Sequence, residues 1–488
     1  MATMLCLLAI SVWRESNAQV TPPFTPSPGE FLSHVPYDLY IDFDDDTLHD
    51  KVYDIRDFGA VGDGKSINTT AINDAILAAH RAGGGTVSVA GGDFVSGTVL
   101  LKSNVTLHIA KNAVLRASQD RAHYDPMHFI YCEDSHNVRI KGPGRIAGDG
   151  HSWWQPPRAH PPVTPPEPFN LSETMRMHGH AKRKKKEYRI SPLIRFQESA
   201  DIRLDNLIIE NSPGWTLLLH LCDRVNVENV VINNNYHGEN TDGIDIVASS
   251  NVLVSHCFIS TGDDGIVLKN GFNGDKSRPM ENVQVRDCAI RSAANGIKIG
   301  TETWADISNV HISDCELFTE EVWPWSLSAV AIESVDGAHV SKVTVKGIKA
   351  RNVMTPLFIR LGNRNRWDTK NRMGKLEDIT VSDVTAYNVE SPAIVSGIPG
   401  LLIRNVRLEN FDVSYREAPE VLNIQSPIPE LEDGYPEFNN FGDLPAYALF
   451  ARHVDGLVVR SFRVVPRSVN QRVPIALDDV RNPDLDTE

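Results

Sequence analysis

The stretch Val225-Asn226-Val227-Glu228-Asn229-Val230 decides the fold, because its pattern recurs down the chain. Apolar side chains alternate with other residues over the first three positions, and an aliphatic residue closes the unit. Strict alternation is the period of a strand with one buried face. The copies are Ile202–Leu207, Val225–Val230, Val252–Cys257, Val283–Cys288, Val310–Cys315, Val343–Ile348, Ile379–Val384 and Leu401–Val406.

The fifth position of each copy predicts a sharp bend. Most of these residues tolerate a left-handed backbone, so each copy is expected to form a strand, a bend and a second strand. A repeat of this kind predicts an all-β fold, a single-domain right-handed parallel β-helix whose coils stack about 4.8 Å apart. The fifth-position residues are Asn206, Asn229, His256, Asp287, Asp314, Gly347, Asp383 and Asn405.

The end of the coil stack and the cysteines follow from the same pattern. Residues Asn68 to Ala82 predict an N-terminal capping helix with Thr69 as its N-cap, stopped by the glycines that begin at Gly83. Its apolar stripe consists of Ile72, Ala75, Ile76 and Ala79. Cys257, Cys288 and Cys315 occupy the sixth position, where other copies have aliphatic residues, and are expected to be buried thiols without disulfides.

Length, net charge and the N-terminal apolar run limit the class of protein and its location. The chain has 488 residues and a net charge of −15, which argues against a general nucleic-acid binder. An apolar run from Met4 to Val12 predicts a signal peptide over residues 1–18, hence a secreted protein, extracellular or periplasmic, with no further apolar stretch that could span a membrane. We divide the remainder into an N-terminal extension (19–50), a β-helix catalytic domain (51–466) and a polar C-terminal tail (467–488), in a protein expected to be a monomer.

Two glycine-bounded turns carry the candidate chemistry. They are Asn240-Thr241-Asp242-Gly243 and Thr261-Gly262-Asp263-Asp264-Gly265, and Asp242 and Asp263 are 21 positions apart (263 − 242). Because this spacing is close to the repeat, the turns are expected to stack and to bring three carboxylates into one cleft. Crowding raises the pKa of one carboxyl group, which can then act as an acid while its neighbours stay ionised. The alternative is that each Asp only bonds its own backbone.

These motifs resemble glycoside hydrolase family 28, the polygalacturonase-like β-helices. The segments Tyr53–Gly64 and Asn211–Trp215 support the resemblance beside the two acid turns. The resemblance implies that Asp263 is the general acid, that Asp242 and Asp264 activate the attacking water, and that cleavage of a pectic polysaccharide inverts the configuration. The stacking of Asp242 and Asp263 by itself favours the shorter separation found in retaining enzymes.

Two positions depart from that family. Asn295 stands where the family has a histidine, and Ala331-Ile332-Glu333 stands where it has an Arg-Ile-Lys triplet that binds the substrate carboxylate. Glu333 would repel a galacturonate, so either cations come from elsewhere or the sugar at this subsite is not a uronic acid. The substrate-binding candidates are Lys269, Asn295, Lys298, Glu333 and Arg360, of which Arg360 is the favoured carboxylate ligand and Glu333 a ligand for neutral hydroxyls.

Several alternatives stay open at this point. The basic run Lys182–Lys186 is expected to be a solvated loop, with a position over the cleft as the alternative, and the insertion Trp153–Ile190 favours exo action. Instead of a pectin hydrolase, the chain could be a hydrolase of neutral or algal galactan, a β-helix lyase that uses Ca²⁺, or a glycan-binding protein without activity. The expected partner is a polysaccharide or oligosaccharide, with no membrane or nucleic-acid partner, and the pectin-hydrolase hypothesis needs no cofactor and no metal.

Overall fold

The computed structural model describes residues 51–155, 182–271, 276–320, 325–366, 372–416, 427–466 and 472–486. The predicted signal peptide (1–18) and N-terminal extension (19–50) lie outside the described residues, as does most of the insertion Trp153–Ile190. No helix within the described ranges is long and apolar enough to cross a membrane.

Strands dominate these ranges, joined by one α-helix and short 3₁₀ turns. The helix is α1 (Thr69–Arg81), and the 3₁₀ turns are Ile55–Phe58, Arg121–His123, Gly150–Trp153 and Phe438–Phe441. The strands are β1 (Val52–Asp54), β2 (Asp63–Ile67), β3 (Gly85–Val89), β4 (Asp93–Ser96), β5 (Val99–Leu101), β6 (Val105–Ile109), β7 (Val114–Ala117), β8 (Ile130–Glu133), β9 (His136–Lys141), β10 (Arg145–Ala147), β11 (Ile194–Gln197), β12 (Ala200–Glu210), β13 (Leu217–His220), β14 (Asp223–Asn233), β15 (Ile244–Val247), β16 (Ser250–Ser255), β17 (Phe258–Thr261), β18 (Ile266–Lys269), β19 (Met280–Arg286), β20 (Ala289–Ser292), β21 (Asn295–Ile299), β22 (Ile307–Ser313), β23 (Glu316–Phe318), β24 (Ser326–Ser334), β25 (His339–Arg351), β26 (Val353–Leu361), β27 (Lys375–Val389), β28 (Ala393–Ser396), β29 (Ile403–Tyr415), β30 (Ala446–Pro466), β31 (Val473–Arg481) and β32 (Asp484–Asp486).

Each strand pairs in parallel with strands of the neighbouring coils, which confirms the predicted all-β fold of stacked parallel coils. One column of paired strands, here called sheet A, carries the candidate site. Sheet A consists of β5, β8, β11, β13, β15, β18, β21, β24, β26, β28 and the first part of β30. Its inward side chains are aliphatic and form part of the hydrophobic core, for example Ile244, Ile266 and Ile297.

The repeat predicted from the sequence is in register for seven of its eight copies. Their first residues pair from coil to coil in one continuous row, which runs Ile202, Val225, Val252, Val283, Val310, Val343 and Ile379. The eighth copy was placed wrongly, because Ile379 pairs with Val406 and not with Leu401. Leu401 instead closes a tight turn by exchanging backbone hydrogen bonds with Ile398.

The predicted bends are confirmed at the fifth positions of the seven copies in register, where φ lies between 51° and 69°. Asn405 of the eighth copy has a φ of 53° as well, but it stacks on Asp378 and not on the bend residue Asp383. Asn and Asp adopt this left-handed conformation at lower cost than other non-glycine residues. Stacked copies also bond to each other, because Asn229 Nδ2 donates to Asn206 Oδ1 at 3.3 Å. At this position the polar residue that bends one coil therefore also joins it to the coil before.

Helix α1 lies over the first coils with its apolar face buried, and its N-cap is Asn68 and not the predicted Thr69. The Thr69 hydroxyl is engaged elsewhere, since it accepts a hydrogen bond from the backbone of Gly97 at 2.7 Å. The helix ends before Gly83, which has a φ of 94°. The buried face consists of Ala71, Ile72, Ala75, Ile76 and Ala79.

The thiols and the C-terminal strands complete the fold. Cys257, Cys288 and Cys315 are free and buried, as predicted.

Strands β31 and β32 pair with β30, so the coil stack continues to residue 486 and the domain boundary predicted at residue 466 is too early. This continuation follows from alternating aliphatic residues in β31, such as Ile475 and Leu477, which pack on the core.

Candidate active site

The two acid turns immediately precede β15 and β18 of sheet A and stack on each other. Ile244 pairs with Ile266, and the backbone N–H of Gly243 donates to the carbonyl of Asp264 at 3.0 Å. This register stacks Asp242 on Asp264, an offset of 22 residues (264 − 242) instead of the 21 used in the sequence analysis. Asp263 consequently lies one position along its turn, beside the Asp242–Asp264 stack.

Glycines allow these turns to approach closely. A Cβ atom at Gly243 would lie 2.4 Å from the carbonyl oxygen of Gly265, and one at Gly265 would lie 2.5 Å from that of Gly296. Contacts this short exclude any side chain at Gly243 and Gly265. The glycines that bound the acid motifs are therefore a requirement of coil stacking.

Asp263 lies among hydrogen-bond donors and a cation. Its Oδ2 accepts from the backbone N–H of Asn240 at 3.1 Å and from Asn240 Nδ2 at 3.4 Å. The ammonium of Lys182 lies 3.6 Å from the same oxygen. Burial raises the pKa of Asp263, but Lys182, the Asn240 N–H and Lys298 together outweigh burial, so the pKa lies below its ordinary value.

Asp264 is held by the next coil. Its Oδ1 accepts from the backbone N–H of Asn295 at 3.0 Å and from Asn295 Nδ2 at 2.8 Å, while its Oδ2 lies 3.9 Å from Lys298 Nζ. Asn295, predicted to bind substrate, thus orients a carboxylate of the cluster. An amide can do so at any pH because it does not titrate.

Asp242 completes the cluster from the preceding coil. One carboxylate oxygen from each of Asp242, Asp263 and Asp264 lies within 4.8 Å of the other two. Burial raises the pKa of Asp242 well above its ordinary value, and the negative charges of Asp245 and Asp263 add to this effect. The predicted convergence of three acids in one place is confirmed, and the pKa of Asp242 is raised while that of Asp263 is lowered.

Lys298 lies behind the acids in a buried ionic cluster. Its ammonium, 1% exposed, is 3.6 Å from Glu333 Oε1, 3.6 Å from Glu437 Oε1 and 3.9 Å from Asp264. Glu333 is 0% exposed, and burial raises its pKa well above the ordinary value despite Lys298. Glu333 therefore faces a lysine inside the protein, which removes the reason for expecting it to repel a uronate.

Lys269, predicted to bind substrate, lies between two carboxylates of the protein. Lys269 Nζ lies 3.6 Å from both Asp245 and Glu302 and 4.1 Å from the centroid of the Trp215 ring. Burial raises the pKa of Asp245 to about 8, although Lys269 opposes the increase. Lys269 is thus held by two acids.

Arg360, the favoured carboxylate ligand, has a structural role in the described residues. Its guanidinium donates to the Ser396 hydroxyl at 2.8 Å and to the carbonyls of Gly397, Glu430 and Leu431 at 3.0, 2.7 and 2.8 Å. Burial and the neighbouring Arg452 lower its pKa to about 10. With its donors engaged in this way, Arg360 fixes the chain around Glu430 instead of facing the acids.

The basic run forms a segment that we call the strap, residues Lys182–Arg189. Its backbone bridges to Gly238 and to Trp154, and Arg189 donates to the carbonyls of Pro213 and Glu239 at 3.0 and 2.7 Å. Lys185 Nζ donates to Asn240 Oδ1 at 2.9 Å. The basic run therefore packs beside the acid turns through Lys182 and Arg189, while Lys184 and Lys185 stay exposed, as expected of a solvated run.

Three functional neighbours were missed by the sequence analysis, namely Lys182, Asp245 and Glu437. Lys182 had a signal, the basic run, although nothing in the sequence shows where that run lies. Asp245 also had a sequence signal, because an acid interrupts the apolar run of β15. Glu437 had no sequence signal, since it reaches the site from a segment more than 100 residues further along the chain than Lys298.

A polar cavity of about 270 Å³ lies on the same sheet, toward the N-terminus. Arg195 pairs with Leu218, which pairs with Asp245, so the cavity lies two coils before the acids. That distance is about 10 Å along the stack. Its lining includes Tyr131, Arg195, Gln197, His220 and Lys276.

The three converging carboxylates are the only group of acids, histidines or cysteines in the described ranges that could hold a metal ion. Lys182 and Lys298 lie within 3.6 and 3.9 Å of two of these carboxylates. These ammonium groups offset part of the negative charge of the cluster.

Comparison with known proteins gives one family and several relatives. The model described as "Glycosyl hydrolases family 28" matches residues 172–427. A probable polygalacturonase from Vitis vinifera is 27% identical over 440 residues, 80% of this chain and 83% of that protein. An exo-poly-alpha-D-galacturonosidase from Dickeya chrysanthemi is 26% identical over 391 residues, 70% of this chain and 64% of that protein.

Among solved structures, a hyperthermoactive exopolygalacturonase from Thermotoga maritima matches with a TM-score of 0.64. The match covers 86% of this chain and 92% of that one at 20% identity. A family 28 exopolygalacturonase from Yersinia enterocolitica has a TM-score of 0.63 at 17% identity and covers 90% of this chain and 79% of that one. At these identities the likeness establishes the fold.

Proposed function

Because the chain belongs to glycosyl hydrolase family 28, whose members hydrolyse O-glycosidic bonds, we propose that it cleaves a pectic galacturonan. The observation that carries the proposal is the convergence of Asp242, Asp263 and Asp264 within 4.8 Å in adjacent turns of sheet A. Such a cluster can divide proton donation and water activation between its members. The two relatives found by sequence, one of them exo-acting, support galacturonan as the polymer.

In the proposed mechanism, Asp263 protonates the leaving glycosidic oxygen, and Asp242 and Asp264 activate the water that attacks the anomeric carbon. Inversion of configuration is part of the proposal and comes from the family. The short separation by itself is nearer to the spacing of retaining enzymes, which is about 5–5.5 Å. Proton NMR of the first product anomer decides between the two outcomes.

The pKa directions of the free protein are opposite to these roles. Asp263, the proposed acid, has a lowered pKa, whereas Asp242 has a raised one. Asp263 is therefore ionised until something weakens the effect of its cations. We infer that bound substrate does so by drawing one of these cations away from Asp263.

Product analysis on galacturonan, rhamnogalacturonan and neutral galactan tests the function. We expect galacturonic acid to be released from galacturonan, and monomer as the first product would establish exo action. Asp263→Asn should lower kcat by at least about 100-fold with little change in fold stability, since proton transfer contributes factors of this size. Activity confined to neutral galactan would refute the pectic assignment.

Ultraviolet absorbance and chelation, measured on the same reactions, distinguish a hydrolase from a lyase on the same scaffold. Hydrolysis gives a saturated product and withstands chelation, whereas elimination gives an unsaturated product that absorbs in the ultraviolet. We expect no increase in ultraviolet absorbance and unchanged activity in EDTA. An absorbing product or a loss of activity in EDTA would contradict hydrolysis without a metal.

Finer features of the predicted architecture and location are also part of the proposal. We propose that the coils form one right-handed domain, in keeping with the handedness of parallel crossovers, and that α1 closes its N-terminal end. The buried face of α1 supports this role. The apolar run between Met4 and Val12 supports secretion, and the strap beside the acids supports exo action.

A further inference from the structure

The cations around the acid cluster differ in how many protein groups they contact and in how exposed they are. Lys298 is 1% exposed and has three carboxylate neighbours, and Lys269 is 9% exposed between two carboxylates. Arg360 donates to protein oxygens. Lys182, in contrast, has a side chain that is 20% exposed, and its ion pair in the described residues is with Asp263.

The contact between Lys182 and Asp263 can be exchanged. At 3.6 Å the two groups are at ion-pair distance and beyond the range of a direct hydrogen bond. Asp263 Oδ2 also keeps the Asn240 backbone N–H at 3.1 Å, so it does not lose every donor if Lys182 turns away. The cost of exchanging partners is therefore small when a second carboxylate is offered.

The strap holds the backbone next to Lys182 in place. The Arg183 N–H donates to the carbonyl of His237 at 2.6 Å, and the Lys184 carbonyl accepts from the Gln155 N–H at 3.0 Å. Lys186 donates to the Ser152 carbonyl at 2.5 Å. The Lys182 side chain can therefore move while residues 183–186 keep these bonds.

We propose that Lys182 is a specificity-determining residue that pairs with Asp263 in the free enzyme and moves to the carboxylate of a uronate residue bound at the cleavage site. The inference rests on the proposed function. A neutral or methyl-esterified sugar has no carboxylate and leaves Lys182 on Asp263. The enzyme would then select for uronates in the catalytic step as well as in binding.

The electrostatics of Asp263 agree with this exchange. The charged groups that act on it are Lys182 and Arg189 from the strap, Asp245, Lys269 and Lys298 from sheet A, Asp242 and Asp264 from the acid turns, and Glu437 from the C-terminal segment. Lys182 is the largest of the influences that lower its pKa. When Lys182 moves to the substrate, the pKa of Asp263 rises, and the carboxyl group can carry the proton that the leaving oxygen needs.

The test compares Lys182→Met with Lys184→Met, an exposed lysine two positions further along the same strap. Trigalacturonate and its methyl ester are the substrates, and kcat and KM are measured for each. We expect Lys182→Met to lower kcat/KM on trigalacturonate by at least about tenfold, the scale of a lost charge-assisted contact. On the ester the variant should keep or increase kcat/KM, because Asp263 is then no longer held ionised by Lys182. Lys184→Met should match the wild type on both.

A pH profile and a rescue variant separate this role from a structural one. Loss of the cation should move the alkaline limb of kcat/KM on the ester to higher pH, because Asp263 then holds its proton longer. Lys182→Arg keeps the charge and should retain selectivity for the acid form. Equal losses on both substrates, or a profile that does not move, would overturn the inference.

Failure of the proposed function gives a different result. In that case the wild type itself would not cleave trigalacturonate. Calorimetric titration with D-galacturonate and D-galactose would then test the exchange without turnover. We expect the wild type to bind the uronate at least about tenfold more tightly and Lys182→Met to lose that preference, whereas equal binding of both sugars by the wild type would refute the inference.

Discussion

Removal of the buried ammonium of Lys298 should destabilise the protein strongly, and the Lys298→Met variant tests how the acids behind the site are held. Methionine has nearly the same length and fills the same space without charge. The substitution leaves Glu333, which is 0% exposed and has no hydrogen-bond partner on either oxygen in the described residues, beside Glu437, with Arg364 as the remaining cation that acts on it. The loss is thus electrostatic and creates no cavity.

The magnitude follows from the geometry. Two unit charges 3.6 Å apart interact by about 4–5 kcal/mol at an effective dielectric constant of about 20. Breaking a buried pair by removing one partner typically costs about 3–5 kcal/mol. We therefore expect the free energy of unfolding, measured by urea titration at pH 8, to fall by about 3–5 kcal/mol.

The loss should depend on pH in a direction fixed by Glu333. The folded-state pKa of this carboxyl group is raised above its model value of 4.5, so folding favours its protonated form. That contribution is complete below the unfolded pKa and is lost as the pH rises through the raised folded value. Without Lys298 the folded pKa rises further, so Lys298→Met should lose less stability at pH 5 than at pH 8.

A double-mutant cycle gives the refuting result. Lys298→Met combined with Glu333→Gln removes both charges and should recover at least about 2 kcal/mol relative to the sum of the single losses at pH 8. Lys184→Met, on the exposed strap surface, should stay within about 0.5 kcal/mol of the wild type. Additive losses, or a Lys298→Met loss that is equal at pH 5 and pH 8, would show that this lysine does not compensate Glu333.

Two further predictions concern residues outside the acid cluster. Arg360→Met should lower the free energy of unfolding by at least about 2 kcal/mol, because several carbonyls lose their donor. The KM on galacturonan should stay within about twofold of the wild type. A large increase in KM with unchanged stability would restore Arg360 as a substrate ligand. Asn229→Val should lower the free energy of unfolding, measured with urea, by about 1–2 kcal/mol, because valine is strained at the φ of 52° that this position requires. Asn229→Gly should lower it by less than the valine variant. Equal losses would exclude backbone strain as the cause.

Much of the fold was predictable because the repeat reports its own register. Alternation gives the strand faces, and the polar fifth position gives the bend, since few other residues accept φ near 50°. The eighth copy was misplaced because alternation alone allows Leu401 or Val406 to begin it. The choice depends on a local turn at Ile398, which the repeat pattern does not report.

The sequence by itself determined the stacked coils and the presence of three acids on adjacent coils, because both depend on periodicity along the chain. It left the charge environment of those acids undecided. Lys182 and Glu437 reach the cluster from segments 81 residues before Asp263 (263 − 182) and 173 residues after Asp264 (437 − 264). Only the tertiary structure decided that Arg360 donates to protein oxygens, that Glu333 faces Lys298 and that Lys182 meets Asp263, since these contacts depend on distance in space and not on spacing in the chain.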